Sequence, residues 1–204
     1  MDIRTWFCQT LANQKIVNQL KNIKFIVCDV DGSLTNANVY FSLEGEDGRE
    51  FSVQDGFAIE KAVKGGLLIS LMSGKSNKTT MLRGMPLGIP EELCIVGVKH
   101  KPSIVKELAQ RYNLKLEQMA IFGDDFLDAQ VKLELCDMMF IAPANTPFYL
   151  ATHADLTLPL PGGKSAFRLF LDLLLFVQGK HFAQELIQDC MKKLNESNRI
   201  SHVD

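Results

Sequence analysis

Two carboxylates follow directly on an apolar run near the start of the chain. The run extends from Phe25 to Cys28, and Asp29, Asp31 and Gly32 come immediately after it. An apolar run bounded by a glycine turn is typical of a buried strand. Two acids at the end of such a strand repel each other and lose hydration. A cation, a phosphate group or an acid–base role would resolve this conflict, so the stretch is a candidate site.

Polar groups also follow three later apolar runs. Ser73-Gly74 ends one run, Asp124-Asp125 ends another, and Lys101 comes a few residues after the third. Carboxylates from two loops suit Mg²⁺, which prefers oxygen ligands. The Ser73 hydroxyl and the following backbone N–H groups could hold a phosphate at a helix start, and Lys101 could neutralise its charge. These groups make up the set that phosphoryl transfer through an aspartyl-phosphate requires.

The elements that must position these groups alternate between strands and helices. Six apolar runs predict strands at about 24–30, 67–72, 93–96, 119–122, 138–141 and 156–158. Because each run is apolar throughout, we predict an α/β fold with a parallel sheet that is covered on both faces. Ligands bind such sheets beyond the carboxyl ends of the strands. The four polar motifs should therefore converge on one crevice.

The remaining elements complete a single predicted domain. We predict an N-terminal helix within 1–22, a core over 24–180 and, over 181–204, a C-terminal helix to about Leu194 followed by a tail. Asp47-Gly48 predicts the turn of a hairpin, within 38–53, between strands at Val39–Ser42 and Arg49–Val53. Further helices are expected at about 76–83 and 165–177, and Asn145 reads as the cap of another. An isolated hairpin is only marginally stable, so it should pack on something, and a partner subunit is one candidate.

The composition of the chain indicates which class of protein it belongs to. The chain has 204 residues, 47% of them hydrophobic and 23% charged, with a net charge of −2. These values are ordinary for a soluble globular protein and give nucleic-acid binding no electrostatic support. Five scattered cysteines without a CxxC pair favour a reducing compartment. The N-terminus lacks a signal-peptide pattern and Phe167–Val177 is too short to cross a bilayer, so we expect a cytoplasmic protein that binds no membrane.

Four motifs, in order along the chain, resemble those of the haloacid dehalogenase superfamily. They are the DVDGSLT segment from Asp29, then Ser73, then Lys101, and finally Gly123-Asp124-Asp125 with Asp128. One such motif alone would be weak evidence, but four in order are specific. The resemblance implies a three-layer Rossmann-like fold, in which the hairpin after the first strand is the only cap.

The resemblance also implies a role for each motif residue. Asp29 would attack phosphorus, and Asp31 would protonate the leaving oxygen and later deprotonate water. The side chains of Asp29 and Asp124 and the backbone carbonyl of Asp31 would bind Mg²⁺, and Asp125 would orient metal-bound water or Lys101. Phosphate would be held by the groups already placed at the helix start, which are Ser73, Gly74 and Lys101.

Three further segments resemble the 3-deoxy-D-manno-octulosonate 8-phosphate phosphatases. They are Ser52–Gly56, Pro161–Gly163 and Leu174–Lys180. This resemblance implies hydrolysis of that sugar phosphate, in lipopolysaccharide sugar biosynthesis. It also implies a homotetramer with the hairpins at its core, in which the Gly-Gly segment of one subunit reaches towards a neighbour's active site. Lys75 and Arg83 occupy positions that would contact the substrate.

Departures from the family pattern leave the substrate open. The family commonly has Thr-Gly-Arg where this chain has Ser73-Gly74-Lys75, and Lys lacks the bidentate fork of Arg. A nine-carbon ulosonic acid 9-phosphate is therefore an alternative substrate. A signalling receiver domain is a different alternative, but the third strand ends in Val96-Gly97, without the Asp that it requires. A non-catalytic assembly module on the same fold is the remaining alternative.

Overall fold

The structure is a computed structural model that describes residues 2–43, 45–76 and 78–200, with only the backbone of 46, 47 and 195–200. The strands are β1 (Phe25–Asp29), β2 (Tyr40–Ser42), β3 (Gly45–Gly48), β4 (Leu68–Met72), β5 (Cys94–Ile95), β6 (Met119–Phe122), β7 (Met139–Ala142) and β8 (Leu156–Thr157). The helices are α1 (Ile3–Ala12), α2 (Gln14–Asn22), α3 (Val53–Lys64), α4 (Thr79–Gly84), α5 (Lys101–Arg111), α6 (Phe126–Glu134), α7 (Phe148–Ala151), α8 (Ala166–Val177) and α9 (Gln184–Ile200).

Six strands form one parallel sheet in the order β5–β4–β1–β6–β7–β8. The predicted parallel α/β architecture is confirmed. All five residues of β1 are buried, as expected for a central strand whose faces are both covered. The chain passes from β1 to β4 and β5 on one side, then returns to β6 on the other. The strand order therefore reverses beside β1, where open α/β sheets bind their ligands.

Aromatic side chains fill the core between the sheet and α8. Phe122 of β6 is fully buried, and its ring lies 4.8 Å from that of Phe167 and 5.9 Å from that of Phe170. The helices α2 and α3 both pack on α8, and α5 packs on α6. Because Phe122 directly precedes the loop that carries Asp124, the same packing fixes both the sheet and one edge of the candidate site.

The N-terminal helix was predicted as one element, but the structure has two. Asn13 ends α1, where its backbone N–H bonds Thr10 O, and it also caps α2. Its side-chain oxygen accepts a hydrogen bond from Ile16 N at 3.3 Å. A residue whose side chain satisfies a helix start competes with continuation of the preceding helix, which explains the break.

The hairpin has a different register from the predicted one. Its second strand is Gly45–Gly48, so Asp47-Gly48 lies within a strand and Arg49 follows the strand. The predicted strand over Arg49–Val53 was wrong because Ser52 caps α3, accepting a hydrogen bond from Asp55 N at 3.3 Å.

Two other boundaries differ from prediction. The helix expected from about 76 begins at Thr79, and the last helix, expected to end near 194, continues to Ile200. In the part of the chain that the structure describes, no helix combines the length and apolarity needed to cross a membrane.

Replacing Phe122 by Ala should lower the free energy of unfolding by about 3–5 kcal/mol, because it leaves a cavity against two buried rings. Phe148→Ala is the matched control, since that ring is 82% exposed, and its effect should stay within about 0.5 kcal/mol. Urea denaturation measures both values. Equal effects of the two substitutions would contradict this account of the core.

Candidate active site

A buried lysine joins two of the motif carboxylates. Lys101 is the first residue of α5 and is 1% exposed. Its Nζ donates to Asp29 Oδ1 and to Asp128 Oδ1, both at 2.6 Å. The other oxygen of Asp128 accepts a hydrogen bond from Asp125 N at 3.2 Å. Charge-assisted hydrogen bonds of this length are among the stronger ones in proteins, and here they fix the side chain of Asp29.

Burial and mutual repulsion change the acidity of this cluster. Loss of hydration, opposed by Lys101 and reinforced by Asp128 and Asp124, raises the pKa of Asp29 to about 8. Burial and the neighbouring Asp128 raise the pKa of Asp124 to about 7. Burial alone would lower the pKa of Lys101, but the charges of Asp128 and Asp29 outweigh it and raise that pKa. Lys101 therefore keeps its positive charge at neutral pH.

The same carboxylates fit a divalent cation. One oxygen from each of Asp29, Asp124 and Asp128 lies within 4.8 Å of the others, and all three residues are buried. Oxygen-only donor sets suit hard cations such as Mg²⁺. Among the described residues, no donor hydrogen-bonds Asp29 Oδ2. That oxygen is therefore available to a cation or to a phosphorus atom.

Two polar side chains donate hydrogen bonds to the carboxylate of Asp124. Its Oδ1 accepts from Ser33 Oγ at 3.0 Å and its Oδ2 from Asn145 Nδ2 at 3.0 Å. The same Asn145 amide donates to Gly32 O at 2.9 Å and accepts from Gly162 N at 2.7 Å. Gly32 has a φ of +99°, and a Cβ there would lie 2.1 Å from Asp124 Oδ2. Only glycine allows this close approach.

Asp31, the second carboxylate after β1, has partners of its own. Its Oδ2 accepts from Ser73 Oγ at 2.8 Å, and its Oδ1 accepts from Arg49 Nε at 2.5 Å. The Ser73 hydroxyl oxygen also accepts from Lys75 N at 3.1 Å. Ser73 thus links the motif carboxylate to the loop before α4.

The charged groups surround a small cavity of about 200 Å³. It is lined by Asp29, Asp31, Gly74, Lys75, Lys101, Asp125, Phe126, Leu127 and Asp128. Pockets that enclose a whole drug-sized ligand are about 300–1,000 Å³. This cavity therefore suits a phosphoryl group better than a complete sugar phosphate, most of which would project from it.

Comparison with known proteins identifies the family. No protein-family model matches the chain. A curated 3-deoxy-D-manno-octulosonate 8-phosphate phosphatase, KdsC of Haemophilus influenzae, is 32% identical over 176 residues, covering 86% of this chain and 96% of that protein. The chain belongs to the KdsC family. The KdsC of Escherichia coli K12 is 28% identical over 173 residues, covering 85% of this chain and 90% of that protein.

A solved structure agrees with this assignment. It is the cobalt-bound form of the deoxy-D-mannose-octulosonate 8-phosphate phosphatase from Haemophilus influenzae. It matches with a TM-score of 0.75 and 30% identity over 85% of this chain and 99% of that one. The predicted haloacid dehalogenase fold and the predicted enzyme class, a phosphoric monoester hydrolase, are confirmed.

The structure brings most of the predicted site residues of this KdsC-family chain together. Asp125 lines the cavity, but its Oδ1 accepts from Phe126 N at 2.7 Å and caps α6, while Asp128 is the residue that pairs with Lys101. Arg83 lies outside the cavity lining. Its Nη2 donates to Ser52 O at 2.8 Å. Its substrate-binding role therefore stays a prediction.

Three residues that sequence reasoning missed also belong to this arrangement. Ser33 and Asn145 hold Asp124, and Arg49 contacts Asp31. The predicted helix cap at Asn145 was wrong, because α7 begins after Pro147 and the Asn145 amide bonds Asp124 instead. Asn145 still carried a usable signal, since it follows the apolar run of β7 as the other motifs follow theirs. Arg49 carried none, since its reach to Asp31 depends on the hairpin register, which was predicted wrongly.

Without a bound cation, stability should fall as the pH rises from about 6 to about 9. The folded protein keeps protons on Asp29 and Asp124 at a pH where the unfolded chain has lost them, because both pKa values are raised. Thermal unfolding in a chelator at several pH values measures this effect.

Added Mg²⁺ should reverse that trend, because protons compete with the cation for the same oxygens. The rise in Tm on adding saturating Mg²⁺ should therefore be larger at pH 8.5 than at pH 6. The Asp124→Asn variant is the control and should respond less at both values. An equal or smaller rise at pH 8.5 in the unaltered protein would contradict a metal site on these carboxylates.

Proposed function

We propose that the chain is a Mg²⁺-dependent phosphatase that hydrolyses 3-deoxy-D-manno-octulosonate 8-phosphate through an aspartyl-phosphate. The observation that carries this proposal is the arrangement of Asp29. The Asp29 side chain lines the cavity, and Lys101 fixes its Oδ1. Its Oδ2 accepts no hydrogen bond from the described residues. A carboxylate held in one orientation with a free oxygen is suited to nucleophilic attack.

The two carboxylates of the DVD segment have different roles, Asp29 as nucleophile and Asp31 as general acid and base. In the first step Asp29 Oδ2 attacks phosphorus, the bond from phosphorus to the sugar oxygen breaks, and Asp31 gives its proton to that oxygen. In the second step water attacks phosphorus, the bond to Asp29 breaks, and Asp31 takes a proton from the water. The sum is one ester and one water consumed, with one sugar and one phosphate released and the protonated Asp31 restored.

The surrounding charges support this chemistry. Lys101 is buried and positively charged, so it can attract the phosphoryl oxygens while it holds Asp29. Mg²⁺ held by Asp29, Asp124 and the backbone carbonyl of Asp31 would neutralise phosphate charge that the buried carboxylates otherwise repel. Gly74 lines the cavity in the loop before α4, where its backbone N–H would hold phosphate. Ser73 was predicted to share this role, but its hydroxyl is buried and donates to Asp31.

The identity of the sugar rests on the family relation. The relatives in Haemophilus influenzae and Escherichia coli are named as phosphatases of the eight-carbon acid. Lys75 lines the cavity, where a positive charge favours an anionic substrate. Since the cavity holds little more than the phosphoryl group, discrimination between eight- and nine-carbon acids must come from groups beyond it.

The proposal predicts activity on the eight-carbon substrate that depends on both Mg²⁺ and Asp29. We expect phosphate release with the eight-carbon 8-phosphate, a lower kcat/KM with a nine-carbon ulosonic acid 9-phosphate, and loss of release in a chelator. Asp29→Asn should lower kcat by at least about 10⁴-fold, because the amide is not a nucleophile. A phosphate-release assay with a substrate panel measures these values.

The matched control is Asp137→Asn, which changes an exposed carboxylate outside the cavity lining and should leave turnover unchanged. Retained turnover in Asp29→Asn would overturn the covalent mechanism. Faster turnover of the nine-carbon substrate would replace the proposed sugar. The absence of phosphatase activity on the whole panel would favour a non-catalytic assembly module.

The proposal extends to self-association through the hairpin, as a homotetramer. Tyr40, Phe41 and Leu43 are 55%, 70% and 108% exposed on this hairpin. Three exposed large apolar side chains on a two-stranded element favour burial against another surface. A neighbouring subunit would also cover the part of the sugar phosphate that projects from the cavity.

Light scattering tests the assembly directly. We expect a mass above that of one chain over a broad concentration range, and Phe41→Glu should shift it towards the monomer because a charge replaces buried apolar surface. Leu133→Glu, at an exposed leucine of α6, is the control and should leave the mass unchanged. A monomeric unaltered protein at all concentrations would contradict the assembly.

A further inference from the structure

A buried arginine reaches the site from the hairpin. Arg49 follows β3 directly, and its side chain is 0% exposed although the hairpin side chains Tyr40 and Phe41 are exposed. Its Nε lies 2.5 Å from Asp31 Oδ1, and its Nη2 lies 3.5 Å from Asp31 Oδ2. The planar guanidinium fork matches the two oxygens of a carboxylate in a way that a lysine ammonium does not.

The Arg49 guanidinium also has a partner on the side away from Asp31. Nη1 of Arg49 donates to Thr79 Oγ1 at 2.7 Å, at the first residue of α4. Asp31 Oδ2 also accepts from Ser73 Oγ at 2.8 Å. Both oxygens of Asp31 therefore have partners, and rotation of this carboxylate would break at least one contact. The side chain of Asp31 nevertheless keeps 22% exposure and lines the cavity.

This arrangement has a cost that a surface ion pair does not have. Exposed ion pairs contribute little to stability, whereas a fully buried guanidinium loses its hydration and is stabilised only by contacts of good geometry. A hydrogen bond to Ser52 O from Arg83 already ties the segment after the hairpin to α4. Arg49 is thus not the only link between the hairpin segment and the rest of the chain. Among the described residues, however, Arg49 is the one that bonds Asp31 Oδ1 and so orients that oxygen.

We propose that Arg49 is the positioning residue of the proton-transfer group, holding the Asp31 carboxyl in the orientation that delivers a proton to the leaving oxygen. The inference rests on the proposed function, since it takes Asp31 as the group that protonates the leaving oxygen. A general acid contributes about 10²–10⁴-fold only when it lies within hydrogen-bond reach of the atom that it protonates. Arg49 acts through Asp31 and need not touch the substrate.

Substrates with different leaving groups distinguish a residue that positions the general acid from a structural residue or a substrate contact. Phenyl phosphate and p-nitrophenyl phosphate have similar shapes, but nitrophenolate leaves without a proton much more readily than phenolate does. Because kcat/KM reports the steps up to release of the first product, it isolates the attack on phosphorus. Loss of proton delivery should therefore make kcat/KM depend more steeply on the basicity of the leaving group.

The experiment compares the unaltered enzyme with Arg49→Ala on the ulosonate phosphate and on a series of substituted phenyl phosphates. We expect a fall of about 10- to 100-fold in kcat/KM for the sugar phosphate, part of what a general acid supplies. We expect a smaller fall for phenyl phosphate and less than about 3-fold for p-nitrophenyl phosphate. Arg49→Lys should recover little, because it lacks the fork, whereas guanidinium ion added to Arg49→Ala should restore part of the loss.

Three controls keep the result interpretable. Thr79→Val removes the contact that holds Nη1 and should show the same pattern more weakly, even if Arg49→Ala folds poorly. Arg111→Ala, at an exposed arginine in the last turn of α5, should change neither substrate. Asp31→Asn gives the reference pattern for loss of the acid itself.

Two results would overturn the inference. An equal fall for all leaving groups would make Arg49 a purely structural residue, and a fall confined to the ulosonate would make it a substrate contact. The failure of the proposed function looks different. In that case the unaltered enzyme would not turn over the ulosonate phosphate, or Asp31→Asn would show no dependence on the leaving group.

Discussion

The rest of the site depends on the buried ammonium of Lys101 between Asp29 and Asp128. Three carboxylates that lie within 4.8 Å of one another would repel strongly out of water, and Lys101 removes part of that repulsion through two 2.6 Å contacts. When all four groups are ionised, two negative charges remain. A divalent cation held by these carboxylates would balance that charge. The same cluster that is unfavourable without a cation is thus suited to hold a cation and a phosphate together.

The parallel sheet explains how distant segments supply these groups. Asp29 ends β1, and Asp124 follows β6, which is paired with β1 through Cys28 and Phe122. Residues after neighbouring parallel strands emerge at the same edge, so the carboxylates meet without a special loop. Gly32 then allows the backbone to pass close to Asp124, and Asn145 ties that backbone to the Gly162 segment. Both oxygens of Asp124 are therefore held in place where the cation would lie.

Much of this could be predicted from the sequence, for a definite physical reason. An apolar run followed by a polar residue is a local signal, so Asp29, Ser73 and Asp124 were found. The parallel sheet followed from the uniform apolarity of the runs. What could not be predicted depends on contacts between distant segments. The division between Asp125 as a helix cap and Asp128 as the partner of Lys101 needs the start of α6 in three dimensions. The role of Arg49 depends on where the hairpin strands end. Asp47-Gly48 suggested a turn there, but these residues lie in β3, and Ser52 already caps α3.

In the proposed reaction, the oxygen of Asp29 left free by Lys101 becomes bonded to phosphorus. Acid quenching of the enzyme during turnover, followed by peptide mapping by mass spectrometry, detects this bond. We expect one added phosphoryl group on the peptide that contains Asp29, lost on treatment with hydroxylamine, which cleaves acyl phosphates. Turnover of the sugar phosphate with no phosphoryl group on Asp29 at any time, or with the group on another residue, would contradict it.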